Sequence, residues 1–214
     1  MSVVYCVHMK KYQLAVFDLD GTLALSKQRL AGETAALLTR LASKISVAVA
    51  SGGSFAQFQE QLVAPLRSNG CVFSNFYLFP TSGASMYVYD GRSGEFIVES
   101  VCEIPAEHRL AIQETLVVVA RELDLLSVST WGEVVEDRVS QVTFSALGQH
   151  APVRAKQAWD PTIEKRKRLA ARIQRVLDEK FGELYCARTG GSTSIDVLQK
   201  GCDKALCVKK ACQF

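Results

Sequence analysis

The stretch YQLAVFDLDGT, residues 12–22, decides the fold of this chain. An apolar run rich in β-branched and aromatic residues ends in Asp18 and Asp20, and Gly21 follows. Such a run is typical of a buried strand, so the two carboxylates stand where a strand ends and a turn begins. Residues i and i+2 of a strand point to the same side. Both carboxylates are therefore expected to project together beyond the strand, where α/β sheets bind ligands.

The pair of aspartates indicates chemistry on phosphate. Two close carboxylates repel each other and so favour a cation, and oxygen ligands without His or Cys select Mg²⁺; Asp18 and Asp20 are its expected ligands. Gly21 permits a tight turn whose N–H groups can approach an anion. With the charge offset, one carboxylate can attack phosphorus while the other transfers a proton. An acidic turn exposed to solvent is the weaker interpretation, because the preceding strand is apolar.

The rest of the chain predicts an α/β fold with an insert. Strand patterns at 12–18, 45–51 and 76–80 alternate with helix patterns at 33–44 and 54–66. The second helix is expected to be closed by Pro65 and the Asn69-Gly70 turn. This alternation is typical of a Rossmann-like core with a parallel sheet. A hairpin at 85–100 and further strands and helices follow, with a helix at 105–126 and another at 160–181. We therefore expect core residues 1–87, an inserted α+β cap at 88–187, and core residues 188–214.

Composition excludes several classes of partner. The net charge of +3 is too small to indicate nucleic acid, and no apolar run approaches the ~18 residues of a membrane span. The basic run 165–168 lies on a helix with an apolar stripe, so we interpret it as a solvated face. Seven scattered cysteines and three distant histidines predict no zinc cluster, reduced thiols and a cytoplasmic protein. Met9 is the expected natural start of the chain.

DLDGT at 18–22 resembles the first motif of the haloacid dehalogenase-like (HAD) superfamily. The resemblance implies that Asp18 is a nucleophile that forms an aspartyl-phosphate, that Asp20 is the general acid/base, and that Thr22 supports the loop. Its second motif is a Ser or Thr after a later strand, which Ser51 matches and Ser54 could supply instead. QKGCDKALCV, residues 199–208, is similar to the third motif of the Cof-type branch, in which Lys204 would neutralise the nucleophile and the phosphate.

A closer resemblance, to the phosphomannomutase-like group of this superfamily, rests on residues 52–62, 77–84, 134–148 and 190–204. In that group cap arginines bind the phosphate that is not transferred, and a polar pair contacts the sugar phosphate. The substrate-binding set that we carry over, including turn residues, comprises Gly21, Thr22, Lys27, Gly52, Arg138, Gln149, Lys156, Ser194 and Asp196. Within it, Lys27, Gln149 and Lys156 stand where arginines are expected, whereas Arg138 matches.

Three functions stay open at this point. The loss of guanidinium groups favours a magnesium-dependent phosphatase of a small sugar phosphate, such as a hexose phosphate. The alternatives are a phosphomannomutase, which interconverts mannose 1-phosphate and mannose 6-phosphate, and a non-catalytic module that binds sugar phosphates. No fourth acidic motif follows Lys204, so either the sequence is truncated, with core strands missing, or the protein has lost this part of its metal site. We favour truncation and expect the chain as given to catalyse poorly. A homodimer formed through the cap is the oligomer that we consider.

Overall fold

The computed structural model describes residues 12–25 and 27–213. The expected start at Met9 lies outside the described residues, as do Cys6 and His8. Two sheets with their helices make up the described chain. None of the helices in this part of the chain has both the length and the apolar character that crossing a bilayer requires.

The first sheet contains five strands in the order β1-β2-β3-β4-β5, with β1 at one edge. These strands are β1 Leu14–Asp18, β2 Ser46–Ala50, β3 Phe76–Phe79, β4 Ser85–Asp90 and β5 Glu95–Val101. The first three are parallel to one another, and β4 and β5 are antiparallel. The strand predicted from the opening stretch is thus confirmed, and its last residue is Asp18.

Helices cover both faces of this sheet. They are α1 Gly32–Ala42, α2 Phe55–Phe58, α3 Ala64–Ser68 and, near the end of the chain, α7 Lys204–Ala211. Because side chains alternate along a strand, β2 directs Val47 and Val49 into the cluster formed with α1, α2 and α3. It directs Ala48 and Ala50 to the opposite face, against α7. We call this sheet and these helices the core unit.

Pro65 does not close the second helix, contrary to our expectation. A π-helical segment, Gln59–Val63, joins α2 to α3, and Pro65 is the second residue of α3. A proline ring normally clashes with the carbonyl group four residues earlier, and the wider π-helical turn relieves that clash. The helical run therefore continues to Ser68, and the Asn69-Gly70 turn follows it.

The second sheet contains four antiparallel strands in the order β6-β7-β9-β8. They are β6 Val135–Asp137, β7 Gln141–Ser145, β8 Tyr185–Thr189 and β9 Ser194–Gln199. The helices of this unit are α4 Ala106–Glu122, α5 Val153–Trp159, which the sequence did not predict, and α6 Glu164–Phe181. α4 and α6 pack on the sheet through residues such as Ile112, Leu116 and Ile173. We call this unit the cap.

The expected boundaries of the cap at 88 and 187 are wrong, although the predicted α/β core with an inserted α+β cap is confirmed. The hairpin of β4 and β5 extends the first sheet, because Tyr77 of β3 pairs with Val88 of β4. At the other boundary, β8 and β9 pair inside the second sheet. The hairpin pattern is local and does not reveal which sheet edge the hairpin joins. The chain enters the cap after Val101 and leaves it after Gln199.

A disulfide lies at this passage between the units. Cys102 follows β5 and Cys202 precedes α7, and the structure bonds the two across a sequence separation of 100 residues. The expectation of reduced thiols throughout is therefore wrong for this pair. Its members are remote in sequence and meet only because the chain enters and leaves the cap at one place. Among the described cysteines, Cys71, Cys186 and Cys207 are free, as is Cys212.

The basic run 165–168 is only partly a solvated face. The apolar stripe of α6 is buried through Leu169, Ile173 and Leu177, as the sequence predicts. However, the Arg166 side chain is 11% exposed. Its Nε donates to Asp160 Oδ2 at 2.9 Å and its Nη1 donates to Gly191 O at 2.8 Å. Arg166 therefore anchors the turn between β8 and β9 rather than facing solvent.

Candidate active site

A cleft of about 420 Å³ lies between the core unit and the cap, where β1 and β2 end. Ten of the thirteen site residues predicted from the sequence line it: Asp18, Asp20, Lys27, Ser51, Gly52, Arg138, Gln149, Ser194, Asp196 and Lys204. The exceptions are Gly21, Thr22 and Lys156, which do not line the cleft. The structure thus brings together residues of β1, of the loops after β1 and β2, and of α7 from the core with others from the cap.

Asp18 and Lys204 meet although they lie 186 positions apart in the sequence. Lys204 Nζ donates to Asp18 Oδ1 at 2.8 Å. Lys204 is the first residue of α7, and the side chain of Asp203 caps that helix by accepting from the N–H groups of Ala205 and Leu206. An N-cap fixes the first turn of a helix. The ammonium group is therefore delivered to the end of β1 by a rigid support.

Gly83 allows α7 to approach the sheet this closely. Its φ of +94° lies in the left-handed region. A Cβ atom there would collide with Cys207 Sγ and lie 2.8 Å from Asp203 O. A side chain at this position would therefore displace the start of α7, and with it Lys204.

Two donors fix Asp20. Ser51 Oγ donates to Asp20 Oδ2 at 2.9 Å, and the Lys27 backbone N–H donates to Asp20 Oδ1 at 2.8 Å. Ser51 in turn accepts from the Gly53 N–H at 3.2 Å. Ser54 instead caps α2 in a capping box with Gln57. Ser51 is therefore the serine at the cleft, and its hydroxyl group binds Asp20 in the structure.

Gly21 and Thr22 belong to the turn and not to the wall of the cleft, although we carried both over as substrate-binding residues. Gly21 has a φ of +81°, and its N–H donates to Ala24 O at 2.7 Å. The carbonyl group of Leu19 accepts from the next residues, Thr22 among them. Thr22 is exposed. Both residues shape the turn that places Asp20, because a left-handed residue is needed there.

Asp18 and Asp20 supply oxygen ligands, the type that a magnesium ion prefers. Asp18 offers a carboxylate oxygen and Asp20 its backbone carbonyl oxygen, because the Asp20 carboxylate is already bound by Ser51 and Lys27. Mg²⁺ is commonly held by one or two carboxylates, with waters and substrate phosphate completing its shell. Asp18 Oδ1 accepts one hydrogen bond, from Lys204, and a carboxylate oxygen has two acceptor sites, so Oδ1 can also bind a cation while Oδ2 stays free of described donors. Within residues 12–25 and 27–213, no cluster of three or more His, Cys, Asp or Glu side chains could hold a metal by itself.

Arg138 is not a free phosphate clamp in this structure. Its side chain is 7% exposed. Its Nη1 donates to Gly52 O, and its Nη2 donates to Glu136 Oε2 at 2.6 Å. Arg138 Nε is buried without a partner among the described residues. The guanidinium group thus ties the cap to the loop after β2 and is not a surface charge. Its role as a phosphate ligand stays a prediction, and it requires that Arg138 exchange these partners for the substrate.

Asp196 is a buried carboxylate, and only one of its two oxygens accepts a hydrogen bond from the described residues. It is 9% exposed, and its Oδ1 accepts from Thr143 Oγ1 at 2.8 Å. Burial raises the pKa of this carboxyl group, against the opposing effects of the Thr143 hydrogen bond and the Arg138 charge. Its Oδ2 lies so close to Gly190 that a Cβ there would come within 2.6 Å. The carboxylate is therefore positioned to accept a hydrogen bond from a ligand in the cleft.

Two lysines meet at one carbonyl group on the cap side. Lys27 Nζ of the core and Lys156 Nζ of the cap lie 3.5 Å and 3.0 Å from Gln149 O. Burial, followed by the charge of Lys27, lowers the pKa of Lys156 to about 8. Gln149 contributes its backbone, while its Nε2 is buried without a partner among described residues. Two ammonium groups sharing one neutral acceptor form a place that favours an anion.

Sequence reasoning missed several residues of the cleft wall. Thr143, which orients Asp196, and Arg188, near the end of β8, both line it. Thr143 could have been suspected, since it is a polar residue in the middle of a strand, and every residue of β7 is buried. Arg188 carries no such signal, because a lone arginine near a strand end is ordinary.

Comparisons of the sequence identify its relatives. Residues 34–213 match the model of a protein family described as eukaryotic phosphomannomutase. "Phosphomannomutase 1" of Homo sapiens is 24% identical over 202 residues, which are 93% of this chain and 73% of the human protein. The phosphomannomutase of Spinacia oleracea is 27% identical over 195 residues, 89% of this chain and 73% of the spinach protein.

Solved structures share the fold. A haloacid dehalogenase-like hydrolase from Bacteroides thetaiotaomicron aligns with a TM-score of 0.59 and 18% identity, covering 95% of this chain and 77% of the hydrolase. The IMP-nucleotidase of Plasmodium falciparum aligns with a TM-score of 0.60 and 14% identity over 94% of this chain. This chain spans about half of the nucleotidase, 51% of its length. Similarity at such low identity establishes a common architecture and nothing finer.

Proposed function

The chain belongs to the eukaryotic phosphomannomutase family of the haloacid dehalogenase-like superfamily, and we propose that it transfers a phosphoryl group to and from a hexose phosphate through Asp18. The observation that carries the proposal is the convergence of Asp18, Asp20, Ser51 and Lys204 in one cleft. Because the chain belongs to this family, its general class of function is that of an enzyme that transfers phosphoryl groups. The substrate and the outcome of the reaction are the finer parts of the proposal.

Asp18 is the nucleophile in this proposal. One carboxylate oxygen forms a bond to phosphorus while the bond from phosphorus to the sugar oxygen breaks. Lys204 holds Asp18 Oδ1 at 2.8 Å, which leaves Oδ2 to attack. The ammonium group also offsets the negative charge of the approaching phosphate. Magnesium, held by Asp18 and Asp20, would supply further positive charge against the phosphate oxygens.

Asp20 supplies the proton to the departing sugar oxygen. Its position is set by Ser51 and by the backbone of Lys27. A hydroxyl group both donates and accepts, so Ser51 can donate to the carboxylate and accept from the protonated acid. In the second half of the reaction Asp20 removes the proton from the hydroxyl group that attacks the aspartyl-phosphate.

The identity of that attacking group separates a mutase from a phosphatase. We favour the mutase, because the chain matches the phosphomannomutase family and because Lys27 and Lys156 bring positive charge to Gln149, a residue of the cleft wall on the cap. In a mutase the aspartyl-phosphate transfers its phosphoryl group to a hexose monophosphate, and the hexose bisphosphate so formed returns its other phosphoryl group to Asp18. That intermediate needs positive charge at both of its ends. Hydrolysis remains the second candidate, because Arg138 is occupied by Gly52 and Glu136 and presents no free guanidinium group.

The test is an assay with mannose 1-phosphate and Mg²⁺ in which both products are quantified. Formation of mannose 6-phosphate without inorganic phosphate supports the mutase. Release of inorganic phosphate alone supports the phosphatase. Asp18→Asn should abolish either activity. Tight binding of mannose 1-phosphate without any turnover would refute the enzyme and support a binding module.

A further inference from the structure

Arg188 is the second arginine of the cleft wall, and its surroundings differ from those of Arg138. Its side chain is 49% exposed, compared with 7% for Arg138. One nitrogen, Nη2, donates to Asp203 Oδ2 at 2.9 Å, and the Cys186 thiol is a further polar neighbour. Of the arginines that line the described cleft, Arg188 is the one whose guanidinium group reaches open space.

The position of Arg188 in the sheet directs it toward the cleft. Arg188 of β8 pairs in register with Asp196 of β9. Residues directly opposite in an antiparallel pair project from the same face of the sheet. Both line the cleft. Because its partner Asp203 immediately precedes Lys204, Arg188 lies at the end of the cleft that holds Asp18.

The ion pair with Asp203 is easy to give up. Exposed ion pairs contribute little to stability, about 0–1 kcal/mol. Asp203 Oδ1 keeps its hydrogen bonds from the N–H groups of Ala205 and Leu206, so the carboxylate stays satisfied when Arg188 leaves. A guanidinium fork matches two oxygens of a phosphate and binds them with charge-assisted hydrogen bonds. A phosphate in the cleft is thus a stronger partner than Asp203.

The wall that carries Arg188 is held in place. Thr189, Gly190 and Gly191 continue it along the cleft. Arg166 binds Gly191 O at 2.8 Å, and Asp160, itself buried, holds Arg166 at 2.9 Å. The backbone next to Arg188 is therefore fixed while its side chain remains exposed. A fixed backbone with an exposed side chain suits a group that changes partners.

We propose that Arg188 is a phosphate-binding residue that moves from Asp203 to the phosphoryl group of a phosphate monoester when one enters the cleft. The inference deepens the proposed function and rests on it for the identity of the substrate. Arg188 then adds a guanidinium group from the cap to the ammonium group that Lys204 adds from the core. Binding of the phosphoryl group by both units would favour closure of the cap over the nucleophile.

The experiment measures binding of inorganic phosphate and of mannose 1-phosphate by calorimetry at constant ionic strength, without following turnover. Arg188→Ala should weaken both by about 10-fold to 100-fold, the effect of losing hydrogen bonds to a charged group. Arg188→Lys keeps the positive charge but loses the two-pronged geometry of the guanidinium group. Its affinity for phosphate should therefore lie between that of the unmodified chain and that of Arg188→Ala. Arg172→Ala is the matched control, because Arg172 makes a similarly exposed ion pair with Glu122 outside the cleft. It should bind phosphate like the unmodified chain.

The variant Asp203→Asn shows whether Arg188 binds phosphate or only supports α7 through its ion pair with Asp203. Asparagine retains the helix cap but removes the charge that holds Arg188. This variant should bind phosphate as tightly as the unmodified chain or more tightly. Equal losses in Asp203→Asn and Arg188→Ala would show that the ion pair only supports α7, which overturns the inference. Unchanged affinity in Arg188→Ala would overturn it as well. An unmodified chain that binds phosphate through Arg188 but forms no product would refute the proposed function and leave this inference intact.

Discussion

Replacing Asp196 with asparagine tests whether this buried carboxylate is kept for ligand binding at the expense of stability. Burial raises its pKa, so the folded protein favours the protonated form more than the unfolded chain does. The contribution of Asp196 to stability is then full below the usual Asp range, near pH 4, and is lost as the pH rises through its raised pKa. An amide side chain at this position would be neutral at every pH.

The magnitude follows from the hydrogen bonds of Asp196. The described residues give the carboxylate one donor, Thr143 Oγ1 at 2.8 Å, whereas Oδ2 has none. A missing hydrogen bond to a buried charged group costs about 1.5–3 kcal/mol. Asp196→Asn should therefore raise the free energy of unfolding by roughly that amount at a pH above the raised pKa, and by less as the pH falls toward the usual Asp range. Activity should fall, because the amide replaces an acceptor of the cleft with a donor.

Urea unfolding at pH 5, 6.5 and 8 measures the effect, and Asp178→Asn on the exposed face of α6 is the control. That control should change little with pH, since exposed charges contribute little. A variant at position 196 that is less stable than the unmodified chain at pH 8 would refute the reasoning. A stabilisation that does not depend on pH would refute it as well, because it would point to packing instead of ionisation.

The remaining predictions concern the cations and the disulfide. Lys204→Met should lower kcat by about 10²–10³-fold with a change in unfolding free energy below about 1 kcal/mol, as steady-state rates and urea unfolding would show. Because the pKa of Lys156 is about 8, its charge and the affinity for hexose phosphate should fall as the pH rises through 8, and Lys156→Arg should remove that dependence in calorimetry. Replacing Cys102 and Cys202 with Ser should lower the free energy of unfolding by about 2–5 kcal/mol without reductant, and should have little effect with reductant.

The nucleophile end of the cleft was predictable because its signals are local. An apolar strand followed by carboxylates at i and i+2 requires Asp18 and Asp20 to share one side, and the turn glycine confirms where the strand ends. Ser51 directly follows the second strand, and parallel strands place their ends at one edge. Lys204 required the family resemblance, because no local pattern shows that a lysine reaches a residue 186 positions earlier.

The cap side was harder to predict, because its contacts depend on how two sheets meet. Arg138 looked like a free clamp, yet its guanidinium group binds Gly52 O, 86 positions away. The disulfide of Cys102 and Cys202 likewise depends on where the chain enters and leaves the cap. Such partners are set by tertiary packing, which periodicity and propensity do not encode.

The central claim, that Asp18 carries the phosphoryl group, is tested most directly by finding that group. The protein is mixed with mannose 1-phosphate and Mg²⁺, quenched in acid during turnover, digested and analysed by peptide mass spectrometry. We expect one phosphoryl group on the peptide that contains Asp18, and none in Asp18→Asn. Product formation by a chain whose Asp18 never carries phosphate, or a phosphoryl group found on Ser51 instead, would contradict the account.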